Sequence, residues 1–237
     1  SVRMHEILKI ASEMRIIMLK LNHIKKIYDK QEILTDVNYE FQEGKIYPIL
    51  GGAGAGRTTL FECICGDVPI DGGSIETRSK RELFLAAKQS VLPMYISGYE
   101  FIKFLCSFKK DDVTPDEYLD KVGIDDLRHD LICNYSFENK KRLQLAAFLV
   151  QRPYVVMFDE PLDFCSDDYI DTFLHVLSSE CQNHVVLIST GVLPVALRIS
   201  SDVLILNNGE LNEISEEMIN IPEINNAILD ILGDLEE

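Results

Sequence analysis

The stretch Gly51-Gly52-Ala53-Gly54-Ala55-Gly56-Arg57-Thr58-Thr59 decides the fold. It follows a short apolar run, Lys45 to Leu50, that reads as a buried strand. It opens a segment from Thr58 to Cys65 that reads as a helix start. Strand, Gly-rich turn and helix in that order fit the phosphate-loop pattern G-x-x-x-x-G-K-[ST], with Arg57 in place of the lysine. The four glycines let backbone wrap an anion closely, turning N–H groups and a helix N-terminus towards it. Gly51, Gly54, Ala55, Gly56, Arg57, Thr58 and Thr59 are the candidate phosphate-binding residues, and the Thr58 hydroxyl is a candidate Mg²⁺ ligand.

Roughly 100 residues further on lies Tyr154-Val155-Val156-Met157-Phe158-Asp159-Glu160-Pro161. A buried strand ending in two carboxylates suits a metal-assisted phosphoryl site. Asp159 is placed to hold Mg²⁺ and Glu160 to orient or deprotonate a water. Alone the pair would mean little, because acidic residues often end strands; its distance from the phosphate loop gives it weight.

The rest of the chain places these motifs in an α/β architecture. Residues 17–27 and 33–41 alternate apolar and polar across a turn-like Asp29-Lys30-Gln31, predicting antiparallel strands. Ser74 to Thr77 predicts another strand. From about residue 95 to 151 the pattern is helical, with Pro115 capped by Thr114 and a long helix from Glu138 to Gln151. Strand and helix then alternate through Tyr154–Phe158, Asp168–Ser179, His184–Ser189, Leu193–Ile199 and Val203–Leu206. Such alternation argues for a parallel sheet covered on both faces.

With these motifs in order, the chain resembles the ABC ATPases from about residue 18 to 213. The resemblance implies a P-loop NTPase with a RecA-like core, an antiparallel β subdomain and an inserted helical subdomain over about 90–151. Residues 1–17 then form an N-terminal extension and 214–237 an acidic helical tail. Tyr28 sits where the family stacks an aromatic on adenine. Gln89 sits at the family's Q-loop glutamine, a catalytic and Mg²⁺-contacting position that opens the helical insertion facing a transmembrane partner. Tyr135 to Arg142 occupies the signature, Pro161 to Asp167 the D-loop, Ser189-Thr190-Gly191 the switch region and Val203 to Leu211 the closing hairpin. ATP and Mg²⁺ are the implied cofactors. The implied partners are an ABC transporter transmembrane subunit and a second ATP-binding subunit, identical or not.

Four positions depart from that pattern. Arg57 replaces lysine, and a planar fork is not a point charge. Phe137-Glu138 replaces the signature glycines, so Phe137 obstructs and Glu138 repels a phosphate brought by a partner subunit. Gly191 replaces the switch histidine, and Ser166 stands at the D-loop aspartate. Losing even one electrostatic contact to a transition state costs roughly a hundredfold in rate. Two readings remain open: an ATP-binding subunit with slow or partner-dependent hydrolysis, and a pseudo-ATPase serving as an interaction or regulatory module.

Composition sets the surroundings. With 39 acidic against 23 basic residues, a net charge of −16, the chain repels nucleic acid and anionic lipid alike. No run approaches the roughly 20 apolar residues of a spanning helix. The expectation is a cytoplasmic chain, peripheral on the inner face of the cell membrane through a membrane subunit, without a nucleic-acid partner. Six cysteines lying mostly within apolar runs, without metal-ligand spacing, read as free thiols. Phe101, Phe104 and Phe108 read as lobe core or a docking patch, Lys140-Lys141-Arg142 as a solvated helix face, Lys109-Lys110-Asp111-Asp112 as a solvated turn, and the acidic tail as solubilising.

Overall fold

The computed structural model describes residues 17–77, 82–88, 92–109 and 113–233. Residues 1–16 of the expected 1–17 extension and the candidate Gln89 lie outside these residues, as do residues 110–112 of the expected turn.

Two strands, β1 (Ile17–Tyr28) and β2 (Gln31–Gln42), pair antiparallel across Asp29 and Lys30, both at positive φ. The phosphate-loop strand is β3 (Lys45–Leu50), followed by α1 (Arg57–Cys65). β4 (Gly72–Thr77) then joins β1 to complete a three-stranded antiparallel sheet. β5 (Leu83–Ala86) enters a second sheet. Sequence reading does not anticipate this strand, because four apolar residues are too few to separate strand from helix by period.

Three helices follow: α2 (Gly98–Cys106), α3 (Pro115–Lys121) and α4 (Phe137–Gln151). Two carry capping boxes, Ser97 with Glu100 and Thr114 with Glu117, which satisfy N–H groups that a helix start leaves unpaired. β6 (Val155–Asp159), α5 (Asp167–Glu180), β7 (Val185–Thr190), α6 (Leu193–Ile199), β8 (Asp202–Asn207) and β9 (Glu210–Ser215) complete the core, with α7 (Glu216–Ile219) and α8 (Pro222–Leu232) beyond it.

The second sheet has the order β5-β6-β7-β3-β8-β9. It is parallel except for the closing β8–β9 hairpin. Both faces are buried, as successive residues of β6 show. Val156 and Phe158 join the helical lobe's cluster with Leu143, Phe148 and Phe173. Val155 and Met157 join the opposite cluster, with Leu19, Leu34 and Phe41 of the antiparallel sheet. The loops that follow β3, β6 and β7 therefore meet at one carboxyl edge, the usual site for ligands in open α/β sheets.

Three sequence expectations change here. The tail beyond the hairpin is not only solubilising: Ile219 and Ile228 are buried with Leu50, Val203 and Ile205 in a third cluster. Lys141 and Arg142 do not lie on a solvated face, being 6% and 5% exposed. The phenylalanine stripe divides: Phe101 packs on the lobe core, whereas Phe104 and Phe108 are exposed and stack edge-on at 5.0 Å.

Candidate functional site

A cleft of about 510 Å³ opens above the carboxyl edge of β3 and β6. Gly52 to Thr59 line it, with Tyr28, Ile33, Lys88, Glu160, Asp163, Phe164, Gly191, Val192 and Leu232. The loop reaches its shape through Gly54 at φ +78° and Gly56 at φ +98°, a region in which L side chains are strained. At Gly54 a Cβ would meet nothing within 4 Å, so this backbone faces open cleft. α1 then begins at Arg57 with its first N–H groups pointing back into the loop, an arrangement that favours an anion.

The predicted metal ligands come together. Thr58 Oγ1 donates to Asp159 Oδ2 at 2.7 Å, and Ser189 Oγ donates to Asp159 Oδ1 at 2.6 Å. Asp159 is 3% exposed and lies behind Thr58 rather than in the cleft lining, its carboxylate fixed by the two hydroxyls. One carboxylate beside one hydroxyl fits Mg²⁺, which takes few protein ligands and completes its shell with phosphate and water. Among the described residues no group of three or more His, Cys, Asp or Glu could hold a metal.

Arg57 and Glu160 were expected in separate roles but are bonded to each other. Arg57 Nη2 donates to Glu160 Oε1 at 2.7 Å, and Arg57 Nη1 donates to the Gly52 carbonyl at 3.1 Å. The Arg57 Nε–H is buried without a protein acceptor. Lys88 closes an ion pair on Oε2 of the same carboxylate. Burial alone would raise the Glu160 pKa, but hydrogen bonds and charge from Lys88 and Arg57 outweigh it and hold the carboxyl below its ordinary range. A carboxylate so neutralised is a weak base, since effective general bases titrate near the working pH. Glu160 also sits at φ +49°, strained for a non-glycine residue. Its backbone is pinned by Ser189 Oγ, which accepts the Glu160 N–H at 2.8 Å, and by Lys141 Nζ, which donates to its carbonyl at 2.7 Å.

Gly191 explains where the arginine fits. A Cβ added at this position would lie 3.8 Å from Arg57 Nη2 and 3.9 Å from Nη1. Both are ordinary contact distances, so the guanidinium packs beside the open face of Gly191.

The signature segment is also rebuilt. Ser136 caps α4 by accepting the Asn139 N–H at 3.1 Å. Glu138 does not aim at a partner's phosphate: Oε2 accepts the Ser166 N–H at 2.9 Å and Oε1 accepts from Arg142. Ser166 in turn caps α5 by accepting the Tyr169 N–H. Phe137 is 52% exposed, its ring 4.3 Å from Lys141 Nζ, and Phe164 is 97% exposed. Tyr28 stands at the far wall, 40% exposed.

Four contributors escaped the sequence reading: Lys88, Lys141, Asp163 and Leu232. Lys141 and Asp163 lie inside the signature and D-loop segments without being singled out there, and Lys88 and Leu232 lie in no motif. Asp163 accepts from Thr190 Oγ1 at 3.0 Å, and burial, the largest influence, pushes its carboxyl upward. Leu232 arrives from α8, the last helix, so only tertiary structure brings it to the cleft.

A family model described as ABC transporter matches residues 34–163, more than half of the chain. The lantibiotic transport ATP-binding protein SrtF of Streptococcus pyogenes is 27% identical over 187 residues, covering 74% of this chain and 81% of that protein. The methionine import ATP-binding protein MetN 1 of Listeria monocytogenes serotype 4b is 28% identical over 224 residues; the match covers 83% of this chain and 65% of that one. Among solved structures, an ATP-binding subunit of an ABC transporter superposes with a TM-score of 0.77 at 18% identity, covering 91% of this chain and 97% of that one. A dimeric ATP-binding cassette in a post-hydrolysis state with ADP and Pi gives 0.73 at 19% identity, covering 84% and 98%.

Proposed function

The chain belongs to the ABC transporter family, and on that premise we propose that it is an ATP-binding subunit coupling nucleotide binding to a transmembrane partner, with slow hydrolysis. The cleft carries the reading: a glycine cradle facing open space beside a Thr58–Asp159 pair in bonding contact. In this reading Gly51 to Thr59 hold the phosphates, Tyr28 stacks on the base, and Thr58 and Asp159 hold Mg²⁺, which supplies charge neutralisation at the phosphates. Glu160 lies beside that position as the candidate base, and Gln89 keeps its proposed place at the metal and the attacking water. The Arg57 and Lys88 contacts weaken Glu160 as a proton acceptor, which supports slow turnover.

Among the described residues no helix is long and apolar enough to cross a membrane, so membrane attachment runs through the partner. The exposed Phe104 and Phe108 pair on the helical lobe supplies an apolar surface for that contact. The names of the relatives, transport and import ATP-binding proteins, support the same assignment.

A second reading, a regulatory pseudo-ATPase, is favoured by one observation: the base position is closed by an internal ion pair. Transport by the assembled complex separates the two. Gly54→Asp places a carboxylate in the cradle and is expected to abolish transport. Unchanged transport would mean that nucleotide at this site is not used.

A further inference from the structure

We infer that Lys88 supplies the movable cation that meets the terminal phosphate of a bound nucleoside triphosphate, while Arg57 is retained as an internal prop for Glu160. This rests on the nucleotide-binding reading above and assigns a role that no phosphate-loop pattern gives to position 88.

Two cations line the cleft among the described residues, Arg57 and Lys88. They are not equivalent. The Arg57 side chain is 8% exposed, with one terminal nitrogen on the Gly52 carbonyl and the other on Glu160. Its guanidinium lies in contact range of Gly191, and moving it to reach a ligand would break its bonds both to the Gly52 carbonyl and to a Glu160 side chain only 12% exposed. A planar fork anchored at both tips is poorly suited to following an incoming phosphate.

Lys88 has the opposite character. Its side chain is 53% exposed, and it pairs with the other Glu160 oxygen. It lies two residues beyond the end of β5, past the carboxyl edge of the parallel sheet, and lines the cleft. An ammonium on a flexible, solvent-facing stem can exchange the carboxylate for a phosphate oxygen, so its own charge stays paired, although the Glu160 end of the pair is only 12% exposed. Glu160 then keeps Arg57 as its remaining cation. The cleft thus divides between two residues the tasks that a phosphate-loop lysine performs alone, and the buried arginine is the one that stays.

The test is calorimetric titration of Mg-ATP, Mg-ADP and AMP into the wild-type chain, Lys88→Gln and Lys88→Arg, with circular dichroism confirming the fold. Lys88→Gln is expected to lose about tenfold in ATP affinity, the scale of one charge-assisted hydrogen bond. It should lose less for ADP and nothing for AMP, while Lys88→Arg retains ATP binding. Equal losses for all three nucleotides, or none, would overturn the assignment while leaving nucleotide binding intact. Failure of the wild-type chain to bind any of them would overturn the underlying reading and this inference with it.

Discussion

Arg57 Nη2 and Glu160 Oε1 lie 2.7 Å apart, joining the end of the glycine loop to the second carboxylate of β6. Both side chains are nearly buried, at 8% and 12% exposure, so each neutralises the other away from water. This contact converts two residues that read separately in sequence into one structural unit. The departures at positions 57 and 191 are neighbours in space, since a Cβ at 191 would lie in ordinary contact with the guanidinium, 3.8 Å from Nη2.

The pair contributes to stability in a pH-dependent way. The Glu160 carboxyl is held low, so its contribution is complete above the unfolded glutamate value of about 4.3 and is lost as pH falls through the lower folded value. Arg57→Met should destabilise the chain by roughly 2 kcal/mol at pH 7, the scale of a buried charged hydrogen bond. Urea melts at descending pH check this: the gap from wild type should narrow in acid, and a constant gap would assign the loss to packing alone.

Asp163 should behave with the opposite sign. Burial raises its carboxyl, so the charged form is costly in the folded state at neutral pH and the cost is relieved as pH falls. Asp163→Asn keeps an oxygen for the Thr190 hydroxyl and removes the charge. Its melting temperature should exceed that of wild type at pH 7, and the advantage should vanish towards the acid range. A variant less stable than wild type at pH 7 would show that the charge is needed there.

Restoring a signature glycine at position 138 should not restore a family-like segment. Glu138 holds the Ser166 N–H at the start of α5 and pairs with Arg142, so Glu138→Gly loses both contacts. Thermal unfolding should show a loss of about 1 to 2 kcal/mol, the scale of a lost helix cap plus a glycine in the first turn. Equal stability would mean that the carboxylate is idle.

The last helix should respond to the phosphate loop. A Cβ at Gly52 would come within 2.6 Å of the Ile231 carbonyl, so Gly52→Ala must displace the end of α8. Hydrogen exchange over 222–232 should rise, with a global cost of about 1 kcal/mol or more. Unchanged protection would show that the loop moves instead.

Most of this architecture was legible because its signals are local. β3, the glycine loop and α1 occupy consecutive residues, and β6 ends in a carboxylate pair whose spacing from the loop is characteristic. The Thr114 cap could be read from type and position, and the structure confirms it. What escaped depends on contacts distant in sequence. Lys141 lies in a run of three cations that looks solvated, yet it donates to the Glu160 and Asp163 carbonyls across 19 and 22 residues. Glu138 was expected to set its carboxylate against a phosphate brought by a partner subunit; instead it bonds to Arg142 and the Ser166 N–H of its own chain. The tail looked merely acidic because its charges outnumber the few apolar residues that dock it.

Calorimetry with Mg-ATP measures directly whether the cleft binds nucleotide through its glycine loop. Gly54→Asp is the control, since a Cβ there would meet nothing within 4 Å and a carboxylate beside the cradle repels phosphate, at the cost of a strained φ of +78°. The wild-type chain is expected to bind with an affinity on the order of micromolar, about −8 kcal/mol, and a Gly54→Asp variant that remains folded to lose it. Absence of binding at millimolar ATP, or equal binding by the folded variant, would contradict binding through the loop.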